Sequence, residues 1–126
     1  MKQIISSAAA PAAIGPYSQG VRSGSLCFFS GMLPIDPASG ALVGETAREQ
    51  TGQVMKNLAA LLASLGLTPA HVVKTTVFLT DLSAFPEVNE VYGALFSENP
   101  PARSCVEVSR LPKDALVEIE CIVSVE

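Results

Sequence analysis

The chain has 126 residues, of which 48% are hydrophobic and 16% are charged, and its formal net charge is −4. This length and apolar content predict one domain with a real hydrophobic core, residues 1–126, and exclude intrinsic disorder. The acidic balance disfavours nucleic-acid binding, because nucleic-acid binders usually carry a basic excess or a basic cluster.

The cysteines and the histidine limit covalent and metal chemistry. Cys27, Cys105 and Cys121 are an odd number without CxxC spacing, which indicates free thiols in a reducing compartment. His71 is the only histidine, so we expect no metal site. No apolar run reaches 18 residues, and the short apolar N-terminal run is broken by Ser and Pro, unlike a signal peptide. We therefore expect a cytoplasmic protein that does not bind membranes.

Turn-forming residues dominate the first part of the chain. Residues 15–20 carry glycine and proline around a single aromatic residue, Tyr17. Residues 26–30 form a short apolar run bounded by Gly24 and Gly31, which predicts a strand. The following residues, 33–40, have the Pro, Asp and Gly content of a loop.

The strongest helix signal starts at Thr46. Thr46 and Glu49 have the spacing of a capping box, in which each side chain satisfies a backbone N–H of the first turn. Gly66 is a typical left-handed helix stop. We predict a helix from Ala47 to about Leu65 whose buried face is formed by Val54, Leu58, Leu61 and Leu65.

The second half predicts a strand, a helix and two further strands. Residues 72–80 are rich in β-branched residues, and a helix capped by Ser83 ends before Pro100 and Pro101. Residues 103–108 and 118–125 alternate like strands, and we predict that a turn at 111–114 joins them into a hairpin. The element order predicts an α+β fold with both helices on one face of a sheet.

One face of the predicted hairpin is polar and holds the main candidates for chemistry. We assign to it Arg103, Cys105, Glu107, Glu118 and Glu120. Because the chain is poor in charge and Ile122 lies on the same face, we expect another subunit to cover that face. A dimer or trimer with sites at the seams follows as a hypothesis.

Each of these candidates has a structural alternative. Arg103 could hold a carboxylate through two parallel hydrogen bonds, or form an ion pair with Glu118 or Glu120. Either glutamate could transfer protons to or from water, or lie on a solvated strand face. Cys105 is a candidate nucleophile, but no activating base is near it in sequence, which favours a thiol that only shapes the site.

Three residues nearer the start of the chain are weaker candidates. Tyr17 could place its hydroxyl near a ligand or cover the core. Ser30 and Gly31 end a strand, where glycine allows the backbone to approach a ligand closely or simply terminates the strand. The residues alone thus predict a small anionic ligand and no particular reaction.

Several blocks of sequence are distinctive as a set. One is Ala12 to Gly20 near the N-terminus, and a later one is Pro101 to Val108 followed by Leu111 to Asp114 and Glu118 to Glu120. The others are Ser30 to Pro34, Val73 to Leu79 and Phe85 to Asn89. In content and in order, over nearly the whole chain, these blocks resemble the motifs of the RidA family of reactive intermediate deaminases.

The resemblance implies a fold, an assembly and a reaction. The fold would be chorismate-mutase-like, with a mixed sheet, in a homotrimer with sites between subunits. The reaction would be hydrolysis of 2-aminoacrylate, 2-iminopropanoate and related enamines or imines to 2-keto acids and ammonia, without a cofactor. Pyridoxal-phosphate-dependent dehydratases release these intermediates. By position, Arg103 would bind the substrate carboxylate, Glu118 would activate water, and the pocket would be lined by Cys105, Tyr17, Ser30, Gly31 and Asn89.

This sequence departs from the pattern at one place. Residues 97–102 are shorter than in typical bacterial members, and Pro100 replaces the usual aromatic residue before Pro101. Two other functions are weighed beside the deaminase. One is a non-catalytic trimer that binds small carboxylic acids, and the other is an RNA-cleaving translation inhibitor, which the acidic balance disfavours.

Overall fold

The computed structural model describes residues 1–126 as one mixed six-stranded sheet and two α-helices. The spatial order of the strands is β1-β2-β3-β6-β4-β5, and only β4 and β5 run parallel. The elements are β1 (Gln3–Ile5), β2 (Gly20–Ser23), β3 (Leu26–Met32), α1 (Ala47–Ser64), β4 (Val72–Leu79), α2 (Phe85–Leu95), β5 (Ala102–Glu107) and β6 (Val117–Ser124).

Helix α1 confirms the prediction made from its cap and its periodicity. The Thr46 hydroxyl accepts a hydrogen bond from the Glu49 N–H, and the Glu49 carboxylate accepts one from the Thr46 N–H. Gly66 follows with φ of 73°, a left-handed conformation. The predicted core positions Val54, Leu58 and Leu61 are buried, whereas Leu65 lies past the helix end and is exposed.

The predicted C-terminal hairpin is wrong. Strand β4 lies between β5 and β6, with β5 parallel to it and β6 antiparallel to it. The segment from β4 through α2 to β5 is a crossover connection, which joins parallel strands. The turn at 111–114 exists, but it returns the chain to the far side of β4. The Ser83 cap is also wrong, because Asp81 accepts the hydrogen bond from the Ser83 N–H in a 3₁₀ turn that precedes α2.

The inserted strand divides the candidate residues between two faces of the sheet. Arg103 is the register partner of Thr75, which is buried beneath α2. Glu118 is the register partner of Phe78, which points to the opposite face because side chains alternate along a strand. The predicted shared face is therefore wrong: Arg103 and Cys105 lie on the helix face, and Glu118 and Glu120 lie on the other.

The face opposite the helices is uncovered and partly apolar. A row of cross-strand neighbours runs over it through Ile4, Val21, Phe28 and Ile122. Ile4 is 60% exposed and Phe28 is 43% exposed, as is Val106 on the same face of β5. A row of large apolar side chains open to solvent is typical of a surface that another protein covers.

The hydrophobic core lies between the helices and the other face of the sheet. Its members come from α1, α2 and the central strands, with Val54, Leu61 and Leu62 from α1 and Val117 and Val123 from β6 among the fully buried side chains. Neither helix combines the length and the apolar character needed to cross a membrane.

Candidate functional site

Four of the predicted site residues meet in one pocket at the end of β3. Tyr17, Ser30, Gly31 and Glu118 line a cavity of about 450 Å³, which we call the glutamate pocket. Most of the remaining wall is apolar and comes from the N-terminal loop, the end of β3 and the loop after it, including Ile14, Met32, Leu33 and Ile35. Apolar walls around a small number of polar groups are typical of small-molecule sites.

A β-bulge brings the backbone of Gly31 against Glu118. The register between β3 and β6 shifts between the pairs Phe29–Cys121 and Met32–Ile119, so Ser30 and Gly31 lie in the irregular stretch. A Cβ atom on Gly31 would overlap the Glu118 carboxylate. Any larger residue at this position would therefore have to displace the Glu118 side chain.

Glu118 has no partner within the chain. Its carboxylate forms no ion pair, since the two salt bridges are Arg48–Glu90 and Arg110–Asp114, and it accepts no hydrogen bond. Burial raises the pKa of the Glu118 carboxyl above its usual range, and the neighbouring charge of Glu120 raises that pKa further. A partly buried carboxylate with a raised pKa is suited to exchanging protons with a ligand or water.

The N-terminal loop over the pocket is held by a residue that sequence reasoning missed. The Gln19 side-chain amide accepts a hydrogen bond from the Ser7 N–H at 2.6 Å and donates to the Pro11 carbonyl at 2.7 Å. The Ser30 hydroxyl donates to the Ser18 carbonyl at 2.6 Å. Tyr17 remains 51% exposed on this loop, and its hydroxyl accepts a 3.4 Å hydrogen bond from the Ile14 N–H. Gln19 lies in the matched N-terminal block, which was the available signal.

The other predicted residues lie on the helix face, at the edge formed by β5. The Arg103 Nη1 donates to the Asn89 Oδ1 at 2.7 Å, and the Arg103 Cζ lies 4.8 Å from the ring centre of Tyr92 and 5.2 Å from that of Phe85. Phe85 and Tyr92 were not among the predicted site residues. Arg103 has no carboxylate partner, so the predicted ion pair with Glu118 or Glu120 is absent.

Cys105 lies two residues along β5 from Arg103, also on the helix face. It is partly buried and packs against the hydrophobic core. Burial raises the pKa of the Cys105 thiol, and the positive charge of Arg103 opposes this rise. The thiol is therefore protonated near neutral pH, which is the opposite of what an activated cysteine nucleophile requires.

The two groups of residues are complementary in chemistry but separate within one chain. The glutamate pocket offers the Glu118 carboxylate, with Lys113 also in its wall. On the helix face, Arg103 offers an uncompensated cation beside Asn89. No three side chains of His, Cys, Asp or Glu come close enough together to hold a metal ion.

Comparison with known proteins gives consistent results over almost the whole chain. Residues 7–125 match the family described as Endoribonuclease L-PSP. A 2-iminobutanoate/2-iminopropanoate deaminase of Salmonella typhimurium is 50% identical over 125 residues, which cover 97% of each chain.

Solved structures resemble the fold equally closely. A candidate endoribonuclease of Thermotoga maritima superposes with a TM-score of 0.95 at 47% identity, covering 100% of this chain and 99% of that chain. Escherichia coli TdcF, solved with bound serine, superposes with a TM-score of 0.90 at 42% identity, covering 97% of this chain and 98% of that chain.

Proposed function

Because the chain belongs to the Endoribonuclease L-PSP family, whose members include reactive intermediate deaminases, we propose that it is itself such a deaminase. It hydrolyses 2-aminoacrylate, 2-iminopropanoate and related acids to 2-keto acids and ammonia. The observation that carries this proposal is that Arg103, held beside Asn89 without a carboxylate partner, and Glu118, a partly buried carboxylate without a partner, occur on the same small domain. These are the two charges needed to bind an anionic imine and to activate water.

We propose that the site is completed between subunits of a homotrimer. Within one chain Arg103 and Glu118 lie on opposite faces of the sheet, so one substrate cannot easily contact both. In an assembly, Arg103 at the sheet edge of one subunit can lie over the glutamate pocket of its neighbour. The exposed apolar row with Ile4 and Phe28 supports burial of the uncovered face. Sedimentation as a monomer at micromolar concentration would contradict the assembly.

In the proposed reaction, Arg103 binds the substrate carboxylate through two N–H groups and thereby fixes C2 near Glu118. The Glu118 carboxylate takes a proton from water as the water oxygen bonds to C2 of the imine, and it returns this proton to the nitrogen. Glu118 then takes the hydroxyl proton of the resulting carbinolamine and passes it to the amino nitrogen. The C–N bond breaks, ammonia leaves, and the keto acid remains. The backbone of Gly31 beside Glu118 can hold the water or the substrate, and Cys105 lines the site as a neutral thiol.

The proposed base predicts a specific pH dependence. Burial and the Glu120 charge raise the pKa of Glu118, and only the deprotonated carboxylate can accept a proton. We expect kcat/KM to fall as the pH drops through this raised pKa. Glu120→Gln removes one cause of the rise, so the acid limb should move to lower pH by less than about one unit. A pH profile of both proteins checks this, and an acid limb at the same pH in both would contradict the role of Glu120.

The close approach of Gly31 to Glu118 predicts the effect of one added methyl group. Gly31→Ala should lower kcat/KM by about tenfold or more, because the new Cβ displaces the carboxylate from its position. Gly52→Ala in α1 is the matched control, since a Cβ there meets nothing within 4 Å. Steady-state kinetics of both variants give the comparison. Equal activity in the two variants would show that Glu118 takes no part in the reaction or that its exact position does not matter.

A coupled assay tests the proposed function directly. A serine or threonine dehydratase generates the imine while semicarbazide traps the fraction that is not hydrolysed, and pyruvate or 2-ketobutyrate is measured with and without this protein. Faster keto-acid release with the protein supports the deaminase. No acceleration for either substrate would favour a non-catalytic trimer that binds small carboxylic acids. The lack of nucleic-acid partners and the cytoplasmic location remain predictions.

A further inference from the structure

Three uncharged side chains that contact Arg103 come from one face of α2. Phe85, Asn89 and Tyr92 follow each other at steps of four and three residues, which places them on the same side of the helix. We call these three residues the arginine cradle. The guanidinium lies over both rings, and Asn89 accepts one of its hydrogen bonds.

The cradle holds the arginine without neutralising it. An arginine has five N–H donors, and only the donor to Asn89 finds an acceptor within the chain. Aromatic faces attract a guanidinium through their quadrupole and restrict its plane. A carboxylate at the position of Asn89 would restrict the guanidinium equally well. That carboxylate would, however, compete with the carboxylate of a ligand for the N–H groups of Arg103.

The cradle is itself anchored in the core. The Tyr92 hydroxyl shares a 2.6 Å hydrogen bond with the Thr75 hydroxyl, and both residues are buried. The Tyr92 ring lies 4.9 Å from the ring of Phe96 at an interplanar angle of 49°. Since Thr75 is also the register partner of Arg103 across β4 and β5, the ring and the arginine are positioned by the same residue of the sheet.

We propose that Phe85, Asn89 and Tyr92 are positioning residues that orient Arg103 for bidentate binding of a carboxylate. This inference rests on the proposed function for its ligand class. A guanidinium fixed before the ligand arrives loses less conformational freedom on binding, so the cradle increases carboxylate affinity. Because the ground state and the transition state of the reaction share the same carboxylate, the cradle affects KM much more than kcat.

The test compares Phe85→Leu with Phe85→Tyr, which removes and retains the aromatic face at one position. The probe is 2-ketobutyrate, whose Kd is measured by calorimetry, while KM and kcat come from the coupled assay. We expect Phe85→Leu to raise Kd and KM about fivefold with kcat within about twofold, and Phe85→Tyr to restore both. An unchanged Kd in Phe85→Leu, or equal weakening in both variants, would overturn the proposal.

A second variant tests the requirement for an uncharged partner. Asn89→Asp keeps an acceptor oxygen for Arg103 but adds a negative charge, so we expect Kd for 2-ketobutyrate to rise about tenfold or more. Retained or improved affinity would overturn this part of the proposal. The Nε–H resonance of Arg103 gives a readout that does not depend on activity. Ring currents of Phe85 and Tyr92 should shift it in the wild type, and Phe85→Leu should reduce that shift.

The same measurements separate the cradle from the proposed reaction. If the wild type binds 2-ketobutyrate with the expected variant pattern but hydrolyses no imine, the deaminase fails and the cradle stands. If imine hydrolysis is present but Phe85→Leu leaves Kd and the resonance unchanged, the cradle fails and the deaminase stands. Absence of 2-ketobutyrate binding by the wild type overturns both the anchor role of Arg103 and the cradle.

Discussion

Arg103→Ala is expected to lower kcat/KM for imine hydrolysis by about 10²- to 10³-fold, the size of the loss when one partner of a bidentate charged pair is removed. The substitution removes the guanidinium beside Asn89. That guanidinium has no carboxylate partner within the chain, so it is free to bind the carboxylate of a substrate. The variant should keep its fold, because Arg103 forms one hydrogen bond and no ion pair within the chain. The coupled dehydratase assay measures the change, with sedimentation to compare the assembly.

Two further variants define what the arginine supplies. Arg103→Lys keeps the charge but loses the planar pair of donors, so its activity should fall between wild type and Arg103→Ala. Arg48→Ala is the matched control, since Arg48 pairs with Glu90 on the surface of the helices. Wild-type turnover in Arg103→Ala would rule out the arginine as the carboxylate anchor.

Glu118→Gln is expected to lower kcat by about 10²- to 10⁴-fold, the range for loss of a positioned acid–base group. The amide has nearly the same shape as the carboxylate but cannot take a proton from water. Binding of 2-ketobutyrate should stay within a few-fold of the wild type, because Arg103 supplies that interaction. Calorimetry and the coupled assay on one preparation separate the two effects.

The stability of this variant distinguishes a functional from a structural glutamate. Glu118 accepts no hydrogen bond and forms no ion pair, so the neutral amide removes the cost of burying a charge and breaks no contact. We therefore expect an unchanged or raised Tm. Glu45→Gln on an exposed loop is the control for loss of a carboxylate. A lowered Tm together with equal losses of binding and turnover would identify Glu118 as a structural residue.

The helices could be predicted because their signals are local. The capping box at Thr46 and the apolar spacing from Val54 to Leu61 determine α1 within a few turns of chain, and the structure confirms both. The errors occur where tertiary contacts, rather than local sequence, determine which side chains are buried. A bulge between Val72 and Lys74 buries Val72 and leaves Val73 exposed, although simple alternation predicts Val73 as a core residue.

Strand pairing could not be predicted from the sequence, and the predicted geometry of the site was therefore wrong. The residues around 111–114 form a turn in the structure, and a turn between two strands favours a hairpin. Nothing local reveals that β4 separates the two strands, because this depends on packing of α2 across the sheet. Arg103 and Glu118 were therefore identified as functional residues but placed on a shared face. The cradle residues Phe85 and Tyr92 were not identified as functional residues.

The position of β6 in the sheet has a consequence for how the chain acquires its structure. This strand is the last of the six in chain order, yet it pairs with both β3 and β4. Its pairing with β3 includes the pair Leu26 and Ser124, which are far apart in the sequence. Strands β1 to β3 therefore connect with β4 and β5 only through β6, which is synthesised after all of them. Pairings of such long range slow folding and leave strand edges open meanwhile. During synthesis, β3 and β4 must each wait with an unpaired edge, and the glutamate pocket cannot form until β6 has left the ribosome.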